Sequence, residues 1–108
     1  MVKKEIVAKL GKFREILEKE GIRVAKVVLF GSHASDMNCP DSDIDVAIVS
    51  PDFGKNRHEE GAKLFVLASD VDSRIEPIPI SLDSYENDTW VPIIWEIRDK
   101  GIEIGTGE

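Results

Sequence analysis

The chain has one cysteine, no long apolar run and no cation in its central part, and each absence excludes a class of protein. The single Cys39 among 108 residues rules out an internal disulfide and a zinc cluster held by several thiolates. The longest apolar run, residues 64–68, is far short of the roughly 20 residues that a membrane-spanning helix needs. The N-terminus lacks the apolar segment of a signal peptide. These features predict a soluble cytoplasmic protein with no membrane partner.

Basic charge is scarce as well, since the formal net charge is -7. A protein that binds nucleic acid through its phosphates needs a basic surface, so no direct nucleic-acid binding is expected. Residues 27–54 contain no Lys or Arg, but they contain five aspartates: Asp36, Asp41, Asp43, Asp45 and Asp52. Carboxylates gathered by a fold repel one another unless a cation lies among them. A divalent metal ion is the obvious candidate.

The spacing of apolar residues predicts helices and strands without an internal repeat or linker. An amphipathic helix is indicated by four apolar residues with helical spacing: Ile6, Leu10, Phe13 and Leu17. This helix is expected to end at Gly21. Short β-branched runs at 24–30 and 44–49 predict two buried strands, with a turn or short helix after the first. A helix is expected over 57–71, although residues 64–67 alone would also suit a strand.

The last third of the chain predicts a strand at the edge of a sheet, then a helix and a short strand. In the strand at 74–80, Pro77 and Pro79 direct their nitrogens to the same edge of the strand and have no N–H to donate. A neighbouring strand therefore cannot form a regular hydrogen-bond ladder along that edge. A helix over 92–101 and a short strand over 102–104 complete the pattern. The expected fold is α+β, resembling an α/β sandwich, with helices packed on a small mixed β-sheet.

Asp43 and Asp45 lie two residues apart at the start of a predicted strand, so both side chains leave the same face. Two neighbouring carboxylates suit Mg²⁺ or Mn²⁺, which complete their ligand shell with water and substrate phosphates. A solvated strand end is the alternative for an arbitrary Asp-x-Asp. Gly31 and Ser32 directly follow the first strand and can hold phosphate oxygens, or they can serve as an ordinary turn and helix N-cap.

Two metal ions would need a third acid, and Glu76 is the best candidate because apolar residues flank it within a strand. Asp72 is the rival, but its place before the strand favours a turn or a cap. A calcium loop beginning at Asp41 is rejected, because Val46 stands where such a loop needs glycine.

The segments LFGSHAS at 29–35 and PDSDIDV at 40–46 together resemble the minimal nucleotidyltransferases of the DNA-polymerase-beta-like superfamily. The signature of that family is an apolar strand, Gly-Ser, ten residues and Asp-x-Asp, and ten residues separate the two motifs here. The resemblance covers nearly the whole chain. It implies the nucleotidyltransferase fold and a single minimal nucleotidyltransferase domain over residues 1–104. The composition of residues 105–108 predicts a flexible tail.

The resemblance implies Mg²⁺-dependent transfer of a nucleoside monophosphate, usually AMP from ATP, to an acceptor hydroxyl. By similarity, Asp43 and Asp45 would hold two Mg²⁺ ions, with Mn²⁺ as a substitute. Glu76 would complete the metal site as the third catalytic acid, and Gly31 with Ser32 would bind the triphosphate of ATP or another nucleotide.

Small members of the family are commonly antitoxins paired with HEPN-type toxins, which they can silence by adenylylating a tyrosine. The resemblance therefore implies a protein acceptor and a HEPN-type toxin as partner. The exposed sheet edge and the small core favour association into a homo- or hetero-oligomer. The alternative is a catalytically weak or inactive antitoxin that neutralises its partner by complex formation.

Two positions depart from the family pattern. Members often have Arg where this chain has His33, and Arg-Gly where it has Ser35 and Asp36. Loss of a cation and gain of an acid beside the phosphate turn would weaken triphosphate binding. His33 can contact phosphate when protonated, or it can be an exposed turn residue.

Overall fold

Four strands form one mixed sheet with helices on both faces, in a computed structural model that describes residues 4–34 and 43–104. In chain order the elements are α1 (Lys4–Lys19), β1 (Lys26–Phe30), a 3-10 helix (Gly31–Ala34), β2 (Ile44–Ser50), α2 (Arg57–Ser69), β3 (Ile75–Ser81), α3 (Leu82–Asn87), α4 (Pro92–Lys100) and β4 (Ile102–Glu103). The strand order is β3-β2-β1-β4. Strand β2 is parallel to β3, whereas β1 is antiparallel to both β2 and β4. The predicted α+β fold is confirmed.

Strand β3 lies at the edge of the sheet, as its two prolines predict. The N–H of Ile44 donates to the carbonyl of Arg74 at 2.8 Å, so the even-numbered residues of β3 direct their backbone groups toward β2. Pro77 and Pro79 therefore direct their nitrogens away from the sheet. The edge position costs no ladder hydrogen bond, because these residues have no N–H to satisfy.

Each face of the sheet carries its own apolar core. Helices α1 and α2 cover one face, and the four apolar residues predicted for α1 are all at most 1 % exposed. Ile44, Val46 and Ile48 of β2 meet them. The other face packs against α3 and α4 through a smaller cluster that includes Ala47 and Ile97. A fully buried Leu or Phe contributes about 1.5–3 kcal/mol, so the α1 face supplies most of the stability.

Most predicted elements are present, with bounds shifted by one to two residues. Residues 64–67 are helical, which settles that ambiguity in favour of α2. The sequence did not predict α3, a six-residue helix with no fully buried side chain. Its start is stabilised by Ser81, whose hydroxyl accepts a hydrogen bond from the N–H of Ser84 at 3.1 Å. The proposed tail, residues 105–108, lies outside the described residues.

Among the described helices, none combines the length and the apolar character that crossing a membrane requires.

Candidate active site

Residues from three neighbouring strands form a row at one end of the sheet. Asp45 of β2 pairs in register with Glu76 of β3 on one side and with Phe30 of β1, the residue before Gly31, on the other. Paired residues of adjacent strands direct their side chains to the same face. Asp45 and Glu76 therefore lie together on the face that α3 and α4 cover, and Asp43, two residues before Asp45, shares that face.

Asp43 and Asp45 are held in place by β2, which is an inner strand of the sheet between β1 and β3. Asp45 is partly buried, whereas every other residue of β2 is fully buried. Ile44 and Val46 point to the opposite face and are completely buried against α1 and α2. A one-residue slip would drive the carboxylates into that core, so the apolar pattern keeps Asp43 and Asp45 on the face that α3 and α4 cover.

The pKa of the Asp45 carboxyl group is raised above its ordinary value. Burial is the largest cause, because it disfavours the charged form, and the negative charge of Asp43 acts in the same direction. His33 opposes this rise in the pKa of Asp45, and Glu96 adds to it. The ionised state of Asp45 is therefore costly without a nearby cation.

The pKa of Glu76 is also raised, and the charge of Asp43 is the largest cause. Burial and the charge of Asp45 follow, and protonated Glu76 can donate a hydrogen bond to Asp43. The negative charge of Asp43 thus raises the pKa of both Asp45 and Glu76. A cation among them would relieve this repulsion and restore the ionised forms.

Gly31 makes the close approach between the β1 turn and Asp45 possible. Its φ is +73°, and a Cβ at this position would overlap Oδ2 of Asp45 and lie 3.2 Å from its Cγ. Only glycine fits both conditions. The backbone of the turn after β1 therefore lies against the carboxylate of Asp45. A loop that brings phosphate close to this carboxylate needs such a close approach.

A family model described as a nucleotidyltransferase domain matches residues 10–101. The chain belongs to this family. A solved structure, "Crystal structure of the toxin-antitoxin with AMP-PNP", superposes with a TM-score of 0.58 at 23% sequence identity, covering 90% of this chain and 73% of that one. At this identity the likeness concerns the fold alone. No curated protein sequence matches the chain.

The carboxylates of this nucleotidyltransferase domain suit Mg²⁺ in their chemistry, since they are hard oxygen donors held close together. Within residues 4–34 and 43–104, no group of three or more His, Cys, Asp or Glu side chains is placed to hold a metal ion by itself. Mg²⁺ in phosphate-transferring sites is usually held by one or two carboxylates, with substrate phosphates and water as the other ligands. Asp43 and Asp45, with Glu76 beside them, fit that arrangement.

The rival acid, Asp72, takes no part in the candidate site. Its carboxylate accepts hydrogen bonds from the side chain of Lys9 and from the backbone N–H and guanidinium of Arg74, at 2.8 and 2.9 Å for the latter two. These contacts hold the pKa of Asp72 well below its usual range. Asp72 closes the turn before β3, which is the structural role that its position favours.

Two further residues of the nucleotidyltransferase domain lie close enough to Asp45 to influence its charge. His33 is only 6% exposed within the 3-10 helix, which excludes the exposed-turn interpretation. Glu96 of α4 interacts with Asp45 from the covering layer, and no spacing in the sequence pairs this helix with β2. The side chain of Ser32 and residues 35–42 lie outside the described part of the chain, so the phosphate role of Ser32 and the effect of Asp36 stay predictions.

Proposed function

We propose that the chain is a Mg²⁺-dependent nucleotidyltransferase that moves AMP from ATP to a hydroxyl group of a protein acceptor. The observation that carries this proposal is the convergence of Asp43, Asp45 and Glu76 beside the glycine turn at Gly31. Clustered carboxylates, two of which have raised pKa values, form a site that favours a divalent cation and its phosphate ligands.

Asp43 and Asp45 are the proposed ligands of the metal, and Glu76 beside them is the proposed third catalytic acid. Bound Mg²⁺ would supply positive charge to both the entering and the leaving oxygen of an in-line displacement. The backbone at Gly31 lies directly against the carboxylate of Asp45, so a triphosphate bound at this turn would lie beside the proposed metal ligands. Glu76, at the other end of the row, accepts a hydrogen bond from the acceptor hydroxyl and takes up its proton.

The transfer joins the acceptor oxygen to the α-phosphorus of ATP and breaks the bond from that phosphorus to pyrophosphate. In an in-line displacement the attacking oxygen and the leaving pyrophosphate lie on opposite sides of the phosphorus. Gly31 and Glu76 flank Asp45 from opposite sides in the sheet, so the row suits this geometry.

The proposed biological role is that of an antitoxin whose acceptor is a HEPN-type toxin. The likeness in fold to a toxin-antitoxin with AMP-PNP supports both a toxin as partner and ATP as nucleotide. The motif spacing around Gly31 and Asp43 supports the same family of small antitoxins.

A second candidate function is neutralisation of the partner by complex formation without transfer. Trp90, which precedes α4, is 80% exposed, and Trp95, which lies within α4, is 51% exposed. Large exposed aromatic side chains are typical of protein-binding surfaces. A stoichiometric antitoxin would need such a surface but would not need the acids.

The experiment that separates the two functions uses ATP labelled at the α-phosphate, Mg²⁺ and the protein that co-purifies with the chain from its native host. The wild type is expected to label the partner, and the Asp43→Asn/Asp45→Asn variant is expected to lose at least about 100-fold in rate. Asp99→Asn, an exposed acid of α4, is the matched control and should label normally. If the double variant does not label the toxin but still neutralises it, neutralisation by complex formation is established. If the double variant labels the partner at the normal rate, the proposed transfer is overturned.

A further inference from the structure

An apolar groove of about 630 Å³ runs along the outer side of β3 and begins at Glu76. Its walls come from α2, from β3 and from the first turn of α4. The apolar side chains that matter most are Phe65, Pro77, Pro79 and Ile93. Phe65 is 56% exposed and Ile93 is 40% exposed, so both present apolar surface that nothing in the described chain covers.

The groove lies on the side of the site from which an acceptor must enter. Across the sheet the order is Gly31, Asp45 and Glu76, with the glycine turn on the inner side and Glu76 on the edge strand. If the triphosphate lies at Gly31, the pyrophosphate leaves toward that side, and the attacking hydroxyl arrives from the side of Glu76. The groove is the continuation of the row beyond Glu76.

The exposed backbone of β3 restricts how an incoming chain can be held. Pro77 and Pro79 direct their nitrogens outward and offer no N–H, and the outward N–H of Ile75 already donates to the carbonyl of Asp72 at 3.1 Å. A partner strand therefore cannot extend the sheet with a regular ladder here. A bound segment must be held through side chains packed on the apolar wall.

A positive charge lies at the far end of the groove. Helix α2 runs antiparallel to β3, so Phe65 lies near the Glu76 end of the groove and Arg57 lies near Ser81. Arg57 and Ser81 also line a smaller cavity that adjoins the groove. The span from Glu76 to Ile80 is four residues of strand, or about 13 Å. Glu60 and Asp83 line the adjoining cavity with Arg57, and Glu60 also accepts hydrogen bonds from backbone N–H groups of the preceding loop. The exposed Arg57 is the one Lys or Arg among the described residues that line the groove, so it is the group there that can pair with an acidic ligand.

We propose that this groove binds the acceptor protein as an extended segment with three features. A hydroxyl-bearing residue lies at Glu76, apolar residues pack on Phe65 and the two prolines, and an acidic residue about four positions away pairs with Arg57. This inference rests on the proposed nucleotidyl transfer at the same site, and it names the class of acceptor for that reaction.

The probes are fluorescein-labelled peptides in which three apolar residues separate a tyrosine from an aspartate, made with the aspartate on either side of the tyrosine. A matched pair carries lysine in place of the aspartate. Binding is measured by fluorescence anisotropy without nucleotide. The wild type is expected to bind one of the aspartate peptides about fivefold more tightly than its lysine counterpart.

Two pairs of variants on α2 separate the groove from the general surface. Arg57→Glu is expected to reverse the preference toward the lysine peptide, whereas Lys63→Glu, a charge reversal outside the groove, keeps the wild-type preference. Phe65→Glu is expected to weaken binding about tenfold. Its neighbour Val66, which is 62% exposed and does not line the groove, provides the control variant Val66→Glu with unchanged binding.

The same peptides are then offered with Mg²⁺ and ATP labelled at the α-phosphate. Binding with the expected charge preference but without label on tyrosine keeps the groove as a peptide site and overturns the proposed transfer. Label that moves to peptides regardless of Arg57 and Phe65 keeps the transfer and overturns the groove. Failure of the wild type to bind any peptide at millimolar concentration also overturns the groove.

Discussion

At the scale of single residues, the site depends on a contact that only one residue type permits. Gly31 combines a φ of +73° with a position against the carboxylate of Asp45. Gly11, in the middle of α1, has open space where a Cβ would be and an ordinary helical backbone. The two glycines therefore provide opposite tests of the same substitution.

Gly31→Ala is expected to destabilise the protein by at least about 1–2 kcal/mol, the cost of a left-handed backbone at a residue with a Cβ. It should also displace Asp45 and reduce transfer. Gly11→Ala should stabilise the protein by about 0.5–1 kcal/mol, because alanine is the better helix former. Urea unfolding of both variants measures these effects, and equal midpoints for Gly31→Ala and the wild type would contradict the packing described for the turn.

At the scale of secondary-structure elements, an ion-paired turn orients the strand that carries Glu76. Asp72 joins Lys9 of α1 to Arg74, which immediately precedes β3. The side chain of Asp72 is 11% exposed, so its charge-assisted hydrogen bonds are partly shielded from water. The helix and the strand are thereby held together two residues from the start of the proposed site.

Asp72→Ala is expected to cost about 2 kcal/mol of unfolding free energy at neutral pH, typical of hydrogen bonds to charged groups. Because folding lowers the pKa of Asp72, its contribution is complete above the pKa of the unfolded chain and is lost as the pH falls toward the folded value. The difference from the wild type should be constant above roughly pH 5 and should shrink below about pH 4. Urea unfolding across this range checks it.

The exposed Asp70→Ala variant is the control for that series, with an expected change within about 0.5 kcal/mol. A difference between wild type and Asp72→Ala that stays the same at acid pH would contradict the role of the ion pairs.

At the scale of the whole molecule, the distribution of charge predicts a response to divalent cations. The net charge is -7, and the central segment that supplies Asp43 and Asp45 contains no Lys or Arg. Folding partly buries Asp45 and brings these acids next to Glu76. Burial and the charge of Asp43 raise the pKa of Asp45, and the charge of Asp43, burial and the charge of Asp45 raise the pKa of Glu76. The folded protein therefore carries repulsion at this end of the sheet that bound Mg²⁺ would relieve.

Mg²⁺ at ten times its dissociation constant is expected to stabilise the protein by about 1.4 kcal/mol, or about 5 °C in Tm. NaCl at equal ionic strength should have a smaller effect. The Asp43→Asn/Asp45→Asn variant should lose the specific response, and without Mg²⁺ at neutral pH it should be at least as stable as the wild type, since the substitutions remove like charges. Differential scanning calorimetry measures both quantities, and an equal Mg²⁺ response in the variant would contradict a metal site at these acids.

The sequence alone determined the elements whose signal is local. The four apolar residues of α1 recur with the helical period, and the alternation around Ile44 and Val46 places Asp43 and Asp45 on one face. The edge position of β3 was also readable, because proline removes an N–H whatever its surroundings. Helix α3 escaped prediction because it is short and buries no side chain completely.

The tertiary structure alone decided which distant residues meet. The register that pairs Asp45 with Glu76, the approach of Glu96 from α4 and the groove from Glu76 to Arg57 all join segments far apart in the chain. An apolar period specifies which face of an element is buried, but it does not specify the partner or the register against which that face packs. Those choices are made by the fit of two cores on one sheet, and they turn three separate acids into one site.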